Sequence, residues 1–203
     1  MKKFCVISVD KEGYVPREGH PSIIGGLKSL EDQTFKDFNV ILIHDGPKSI
    51  SYYEEGVLRE NMPLDVTVMN TEQEHGDFGN WSRDLAMRFA NENNLGEYYI
   101  HHNVDNEFFP DALQAMSNAI DKYDERVFIF PIHHWKLIGG GILTGVPPVL
   151  FGIDTMQLVA HRDIWREVGY WYDTHRWSDG YIYEAICKEF PWREVPHCIG
   201  HNY

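Results

Sequence analysis

Cysteine, basic charge and long apolar runs are all in short supply in this chain. Its three cysteines, Cys5, Cys187 and Cys198, are odd in number and lack CxxC spacing. That excludes a disulfide framework and points to a reducing, cytoplasmic compartment. Cys5 lies in an apolar run and reads as an inert core residue. Lys and Arg number 18 against 31 Asp and Glu, a net charge of −13. A nucleic-acid scaffold is excluded, because its affinity depends on cations that neutralise phosphates. A nucleotide ligand stays open, since a metal screens a diphosphate locally. No stretch approaches the roughly 20 apolar residues of a membrane span, so no integral membrane segment is expected. Met1-Lys2-Lys3 before Phe4–Val9 imitates a signal peptide, but the apolar part is about half the usual length and meets Asp10. A first β-strand is expected instead. Repeats, low-complexity tracts and linkers are missing too. The 203 residues, 43% of them hydrophobic, suit one sizeable globular domain.

What is present alternates between strand and helix signals, the mark of a mostly parallel α/β sheet flanked by helices. Short apolar or β-branched runs predict strands at Phe4–Val9, Phe38–His44, Val66–Asn70, Tyr98–Asn103 and Val127–Ile132. Between them, Pro21-Ser22 opens a helical pattern with Ile23, Ile24, Leu27 and Leu30 on one face. Trp81, Leu85 and Phe89 form a second stripe, and Leu113, Met116 and Ile120 a third after Pro110. The second half is less regular. A breaker-rich loop carries Gly139, Gly140, Gly141, Gly145, Pro147 and Pro148, a length typical of lids and binding loops. Helical segments near His161–Val168 and Asp179–Glu189 follow.

Chemistry concentrates at the strand ends. Strand one ends at Asp10, strand two at Asp45 and strand four at Asp105. A lone Asp at such a place is more often a turn former or a helix cap. Three at the C-terminal tips of parallel strands predict a shared binding crevice, where an open α/β sheet binds its ligand. Eleven histidines include the pairs His101-His102 and His133-His134. Neighbours on a strand face opposite ways, so neither pair chelates one metal from a single face. His197 and His201 have helical spacing, but Pro196 and Gly200 argue against a helix there.

The segment Gln33 to Ser49 resembles the "Q…(F/Y)…EIIVVDDGSTD" run of family 2 glycosyltransferases with the GT-A fold. Ser82-Arg83-Asp84-Leu85-Ala86 with Gly96 to Ile100 is similar to their "ARNxG…A.GEYI" run. Asn103-Val104-Asp105 through Pro110 and Leu113 looks like their "LDxDD…P..L" block. His161 to Asp173 resembles "RR…..GGFDE", and Trp177-Ser178-Asp179 falls where their "ED" motif carries the catalytic base. The five matches occur in the family's order and span nearly the whole chain.

The resemblance implies one GT-A domain over residues 1–203, with residues 1–110 binding a nucleotide sugar and 111–203 the acceptor. It implies transfer from a nucleoside-diphosphate sugar, by family precedent UDP-linked, to a hydroxyl acceptor on a glycan. Mn²⁺ or Mg²⁺ would serve as a Lewis acid at the diphosphate, and Asp179 as the base of an inverting attack. Val9, Asp10, Asp45, Arg83, Asn103, Val104 and Asp105 would line the donor site. Asp105, Asn103 and a returning His201 would hold the metal. Trp177 and Trp135, from an aromatic group that also includes Trp171, Tyr172 and Tyr181, would bind the acceptor. Three positions depart from the family: Asn103 replaces the first acid of the DxD motif, Ser178 the glutamate before the base, and His44 the first Asp of "DDGS". Two other readings stand beside this one. A nucleotidyltransferase making nucleotide sugars shares the α/β plan, but Ser8–Gly13 is acidic where such enzymes have a basic glycine-rich loop. A catalytically weak sugar-binding domain of the same fold would tolerate Asn103 and Ser178.

Overall fold

Four parallel strands form one half of the central sheet; the first, second and fourth in chain order are buried on both faces, and the third lies half-buried at the sheet edge. They are β1 (Phe4–Lys11), β2 (Phe38–Asp45), β3 (Val66–Asn70) and β4 (Tyr98–Asn103). The structure, a computed structural model, describes residues 1–11, 23–47, 65–76, 79–134, 137, 141–171 and 178–203. Every residue from Phe4 to Asp10 is buried, so β1 has no solvent side and its run reads as nearly continuous apolar sequence. Beyond β4 the sheet continues through β9 (Leu158–His161), β6 (Val127–Ile129) and β10 (Arg193–Glu194). The order is β10-β6-β9-β4-β1-β2-β3. β9 runs antiparallel to both of its neighbours.

Side chains alternate across this sheet and divide the core in two. Val6, Val40, Leu42 and Ile100 pack beneath Leu27 and Leu30 of α1 (Ile23–Glu31) and Leu113 and Met116 of α3 (Ala112–Lys122). On the other face lie Cys5, Ile7, Ile41, Ile43 and Tyr99. These meet Ala86, Met87 and Ala90 of α2 (Asn80–Glu92), Ile164 and Trp165 of α4 (Arg162–Val168), and Ile182, Tyr183 and Ile186 of α5 (Ser178–Glu189). Burial pushes the Cys5 thiol up to about 12, which keeps it an inert core group.

Two sequence expectations need correction. The stripe Trp81, Leu85, Phe89 is not the buried face of α2. Trp81 is 48% exposed and Leu85 and Phe89 only line the core edge, while Asn80, Ser82, Arg83, Ala86, Met87 and Ala90 are buried. Small side chains let the helix approach the sheet, and that approach carries Arg83 to the strand tips. The strand expected over Val127–Ile132 breaks at Phe130-Pro131. Proline has no N–H for a ladder, and the chain resumes as β7 (Ile132–His134) in another sheet. That second sheet has the order β5-β11-β7-β8, with β5 at Glu107–Phe108, β8 at Ile142–Leu143 and β11 at Gly200–Asn202. The opening pair Pro21-Ser22 and part of the glycine-rich loop lie outside the described residues. No described helix is long and apolar enough to cross a membrane.

Contact between α1 and the turn after β4 fixes one wall of the crevice. A Cβ on Gly26 would collide with the Val104 carbonyl oxygen and lie 3.1 Å from the Asn106 oxygen. Gly26→Ala should therefore destabilise the protein by about 1–3 kcal/mol, the usual cost of overpacking. Urea unfolding is the measurement, and an unchanged midpoint would refute the close-approach account.

Candidate active site at the strand tips

The sheet changes direction between β1 and β4. From β1 the chain adds β2 and β3 on one side, then crosses to place β4 on the other. Such a switch point opens a crevice beyond the carboxyl ends of the strands. Its walls are Val9 of β1 and Asn103 of β4, which are register partners, with the Val104 N–H donating to the Val9 carbonyl at 3.2 Å.

Arg83 reaches into this place from α2. Its guanidinium is nearly buried (the residue is 4% exposed) and donates from Nη2 to Asn103 Oδ1 at 2.5 Å. It also lies over the Trp171 ring, 5.1 Å from the centroid. Gly79 makes room, with φ at +79° and a Cβ position only 2.6 Å from Val9 Cγ1. A side chain at 79 would thus meet both backbone strain and Val9. Trp171 Nε1 donates to Asn80 Oδ1 at 3.0 Å and to Ser178 Oγ at 2.9 Å, and Ser178 Oγ donates to Asn80 Oδ1 at 2.7 Å. Ser178, which stands in for the expected glutamate, thus ties the start of α5 to the start of α2.

Asp179 follows directly. Its Oδ2 accepts from Thr155 Oγ1 at 3.1 Å and its Oδ1 from the Gly180 N–H at 2.9 Å. It lies inside the first turn of α5, where the helix dipole favours a carboxylate. Beside it stands Asp154, a residue the sequence reading missed. Asp154 caps the 3₁₀ turn Thr155–Gln157 in a reciprocal capping box with Gln157. It accepts from Asn202 Nδ2 at 3.1 Å and lies 3.8 Å from His134 Nε2. Burial, then the negative charge of Asp179, raises its pKa to about 7; Arg83 opposes the shift and Asp105 adds to it. Asp105, Asp154, Asp179 and Arg83 therefore form one electrostatic group. The only sequence signal for Asp154 is the Asp-x-x-Gln spacing of a capping box, which speaks of structure more than chemistry.

The three strand-end aspartates do not converge as expected. Asp10 pairs in register with His44 and its Oδ2 lies 3.0 Å from His44 Nδ1 in a buried contact. Asp45, one residue on, takes the opposite face by the two-residue strand period. Its carboxylate accepts from the His75 and Gly76 N–H groups at 3.0 and 2.8 Å and from Thr71 Oγ1 at 3.1 Å. Both oxygens thereby pin the loop after β3. Only Asp105 remains at the β4 tip, in the turn closed by the Asn106 N–H to Asn103 carbonyl bond at 2.9 Å.

The metal expectation fares unevenly. Asn103 Oδ1, its one metal-binding atom, faces a guanidinium. His201 stacks on His133 at 4.9 Å and meets Phe109 edge-on at 4.9 Å; burial, then His133, lowers its pKa. The C-terminal strand does return to the crevice, but through Asn202, its neighbour on the other strand face. Among the described residues, no group of three or more His, Cys, Asp or Glu is placed to hold a metal. Trp135 and Trp177 lie outside the described residues. The paired histidines behave as strand alternation requires. His101 is buried between Trp165 and Trp171 on one face, at 5.1 and 4.8 Å. His102 bonds Ser8 Oγ at 2.8 Å on the other.

No family model and no curated protein matches the sequence. Solved structures do match. Residues 1–349 of S. aureus TarS align over 98% of this chain with a TM-score of 0.71 at 15% identity. The complexes of the same fragment with UDP and with UDP-GlcNAc give 0.72 at 15% and 14% identity. The fold is that of TarS, a GT-A-like glycosyltransferase. The expected mostly parallel GT-A sheet with flanking helices is thereby found. The chain spans 58–60% of that fragment and 36% of a longer TarS chain.

The Asp154 carboxyl gives a pH test. Its folded pKa near 7 exceeds the unfolded value near 4, so the native state holds a proton that the unfolded chain has released. Stability from this group is present below about pH 4 and lost as pH rises through 7. Asp154→Asn keeps the cap and removes the charge. It should unfold at higher denaturant than wild type at pH 8, by an amount on the order of 2–4 kcal/mol, and match it at pH 4. Parallel stability curves across that range would refute the assignment.

Proposed function

We propose that the chain transfers a sugar from a UDP-linked donor to a hydroxyl acceptor on a glycan, with inversion at the anomeric carbon. The observation that carries this reading is the joining of a buried cation and a base-position carboxylate into one group at the switch point. Arg83 is fixed there by Asn103 and Trp171, and Asp179 is fixed by Thr155 at the start of α5. The UDP and UDP-GlcNAc complexes of TarS supply the reason to choose a uridine nucleotide for this fold.

In this reading Asp179 accepts the proton of the acceptor hydroxyl as its oxygen attacks the anomeric carbon. The bond from that carbon to the diphosphate breaks, and its electron pair leaves on the nucleotide. Arg83 offers fixed positive charge where the departing diphosphate gains negative charge, which is electrostatic stabilisation by a preorganised group. Asp45 acts indirectly, by holding the loop over residues 71–76 against β2. Asp105 would hold Mn²⁺ or Mg²⁺, a Lewis acid for the leaving phosphate, with the diphosphate supplying most of the other ligands. Mg²⁺ is commonly bound by one or two carboxylates plus phosphates in this way, so a full protein cage is not required.

Calorimetry with UDP, with and without Mn²⁺, tests donor binding apart from chemistry. Asp105→Ala should abolish the Mn²⁺-dependent part of UDP binding. Asp179→Asn should leave UDP binding intact while lowering transfer by about 10²-fold or more. Wild-type protein that binds no uridine nucleotide under either condition would sink the proposal, as would full activity of Asp179→Asn.

A further inference from the structure

Helix α5 grips the 3₁₀ turn Thr155–Gln157 at two levels, one helical turn apart. Asp179 Oδ2 accepts from Thr155 Oγ1 at 3.1 Å, and four residues on, Tyr183 Oη donates to the Thr155 carbonyl at 2.6 Å. Residues four apart share a helix face. The carboxylate at the base position and the phenol therefore hold the same threonine, one by its side chain and one by its backbone. The turn is in its own right tied to the sheets. The Gln157 carbonyl accepts from the Phe130 N–H at 3.0 Å, and Gln157 Nε2 donates to the Phe130 and Leu143 carbonyls at 2.9 Å each. Thr155 is thus a fixed point, and α5 is located against it.

Tyr183 has a second set of contacts. It is fully buried, and its ring meets Trp171 edge-on at 5.9 Å and Trp165 edge-on at 6.2 Å. Trp171 is the ring over which the Arg83 guanidinium lies. The hydroxyl of Tyr183 therefore bears on the carboxylate through Thr155, while its ring bears on the cation through Trp171. Burial, then the charge of Asp179, raises the phenol pKa well above its ordinary value, so the group stays a hydrogen-bond donor. Packing against two tryptophans would be served as well by phenylalanine. The hydroxyl answers only to the Thr155 carbonyl.

We propose that Tyr183 is a positioning residue that holds Asp179 and Arg83 at a fixed separation, acting on the first through Thr155 and on the second through Trp171. The proposal deepens the function given above and rests on it. In an inverting displacement the attacking hydroxyl and the departing diphosphate lie on opposite sides of the anomeric carbon. The distance between the group that takes the proton and the group that receives the diphosphate is then part of the reaction geometry. Misplacement by about 1 Å can cost on the order of 10²-fold in rate. Thr155 donates its hydrogen bond and keeps its proton. Each carboxylate oxygen has two lone pairs, so Asp179 retains acceptor capacity for a substrate hydroxyl while it is held.

UDP release from UDP-glucose, UDP-galactose and UDP-N-acetylglucosamine, with Mn²⁺ and methyl glycosides as acceptors, tests this beside calorimetry with UDP. Tyr183→Phe keeps the ring and removes the hydroxyl. It should lower kcat about 10- to 100-fold with donor KM and UDP affinity unchanged. Thr155→Val should lose at least as much, and Thr155→Ser, which restores the hydroxyl, should recover most of it. The double variant Tyr183→Phe/Thr155→Val should be no slower than Thr155→Val alone, because the tyrosine acts through a hydroxyl that valine lacks. Tyr183→Leu, which removes the ring, should weaken UDP binding as well. Rates are taken per folded protein from the thermal melt of each variant. Losses that multiply in the double variant, or full kcat in Tyr183→Phe, overturn the positioning role. Full kcat in Thr155→Val overturns it too, whatever the fate of the tyrosine variants. Unchanged UDP affinity in Tyr183→Leu overturns the link to Arg83. A wild type that binds UDP but releases it from no donor strikes at the transfer reading instead, so the two failures are distinguishable.

Discussion

A buried guanidinium must be answered by partners, because an unpaired ion in a protein interior costs several kcal/mol. Arg83 sets that requirement here, and much of the crevice is the answer to it. Asn103 accepts its hydrogen bond, Trp171 offers a ring face, and Gly79 takes a left-handed turn beside Val9. Trp171 is in turn anchored by Asn80 and Ser178. The chain of contacts thus runs from the tip of β4 through α2 to the start of α5. Asp179 begins where it ends.

The neutral partner matters. An aspartate at 103 would cancel the charge of Arg83, whereas an amide holds the guanidinium in place and leaves its charge effective. Asp154 shows the opposite case: its burial, and after it the negative charge of Asp179, raises its pKa. The aspartates of this protein divide by environment. Asp10 and Asp45 are held by local contacts, while Asp179 and Asp105 both act on Asp154.

The parallel sheet, its strand tips and most helices were legible in the sequence, because doubly buried strands and amphipathic helices leave periodic signals. The α2 stripe misled because Ala86, Met87 and Ala90 pack by closeness, and small residues carry a weak hydrophobic signal. The strand tips were found correctly, yet the facing of Asp10 and Asp45 depends on register: β1 pairs Asp10 with His44, which turns Asp45 away. Ser178 looked like a lost catalytic glutamate, but in space it is a buried tie between two helices. Asp154 was invisible because its partners Asp179, Asn202 and His134 are distant in the chain, and only folding assembles them.

β11 sits between β5 and β7 with His201 opposite His133 and Asn202 opposite His134. One side of this ribbon, His134 and Asn202, touches Asp154; on the other, His133 and His201 stack on each other and meet Phe109 edge-on. A slip of one residue would exchange the two sides and bring an imidazole to the carboxyl where an amide now stands. A Cβ on Gly200 would strike the Glu107 carbonyl oxygen, so the glycine lets the strands close at this register. The ribbon therefore behaves as a gauge: how far along β11 the strands are paired decides which of its side chains meets the Asp154 carboxyl.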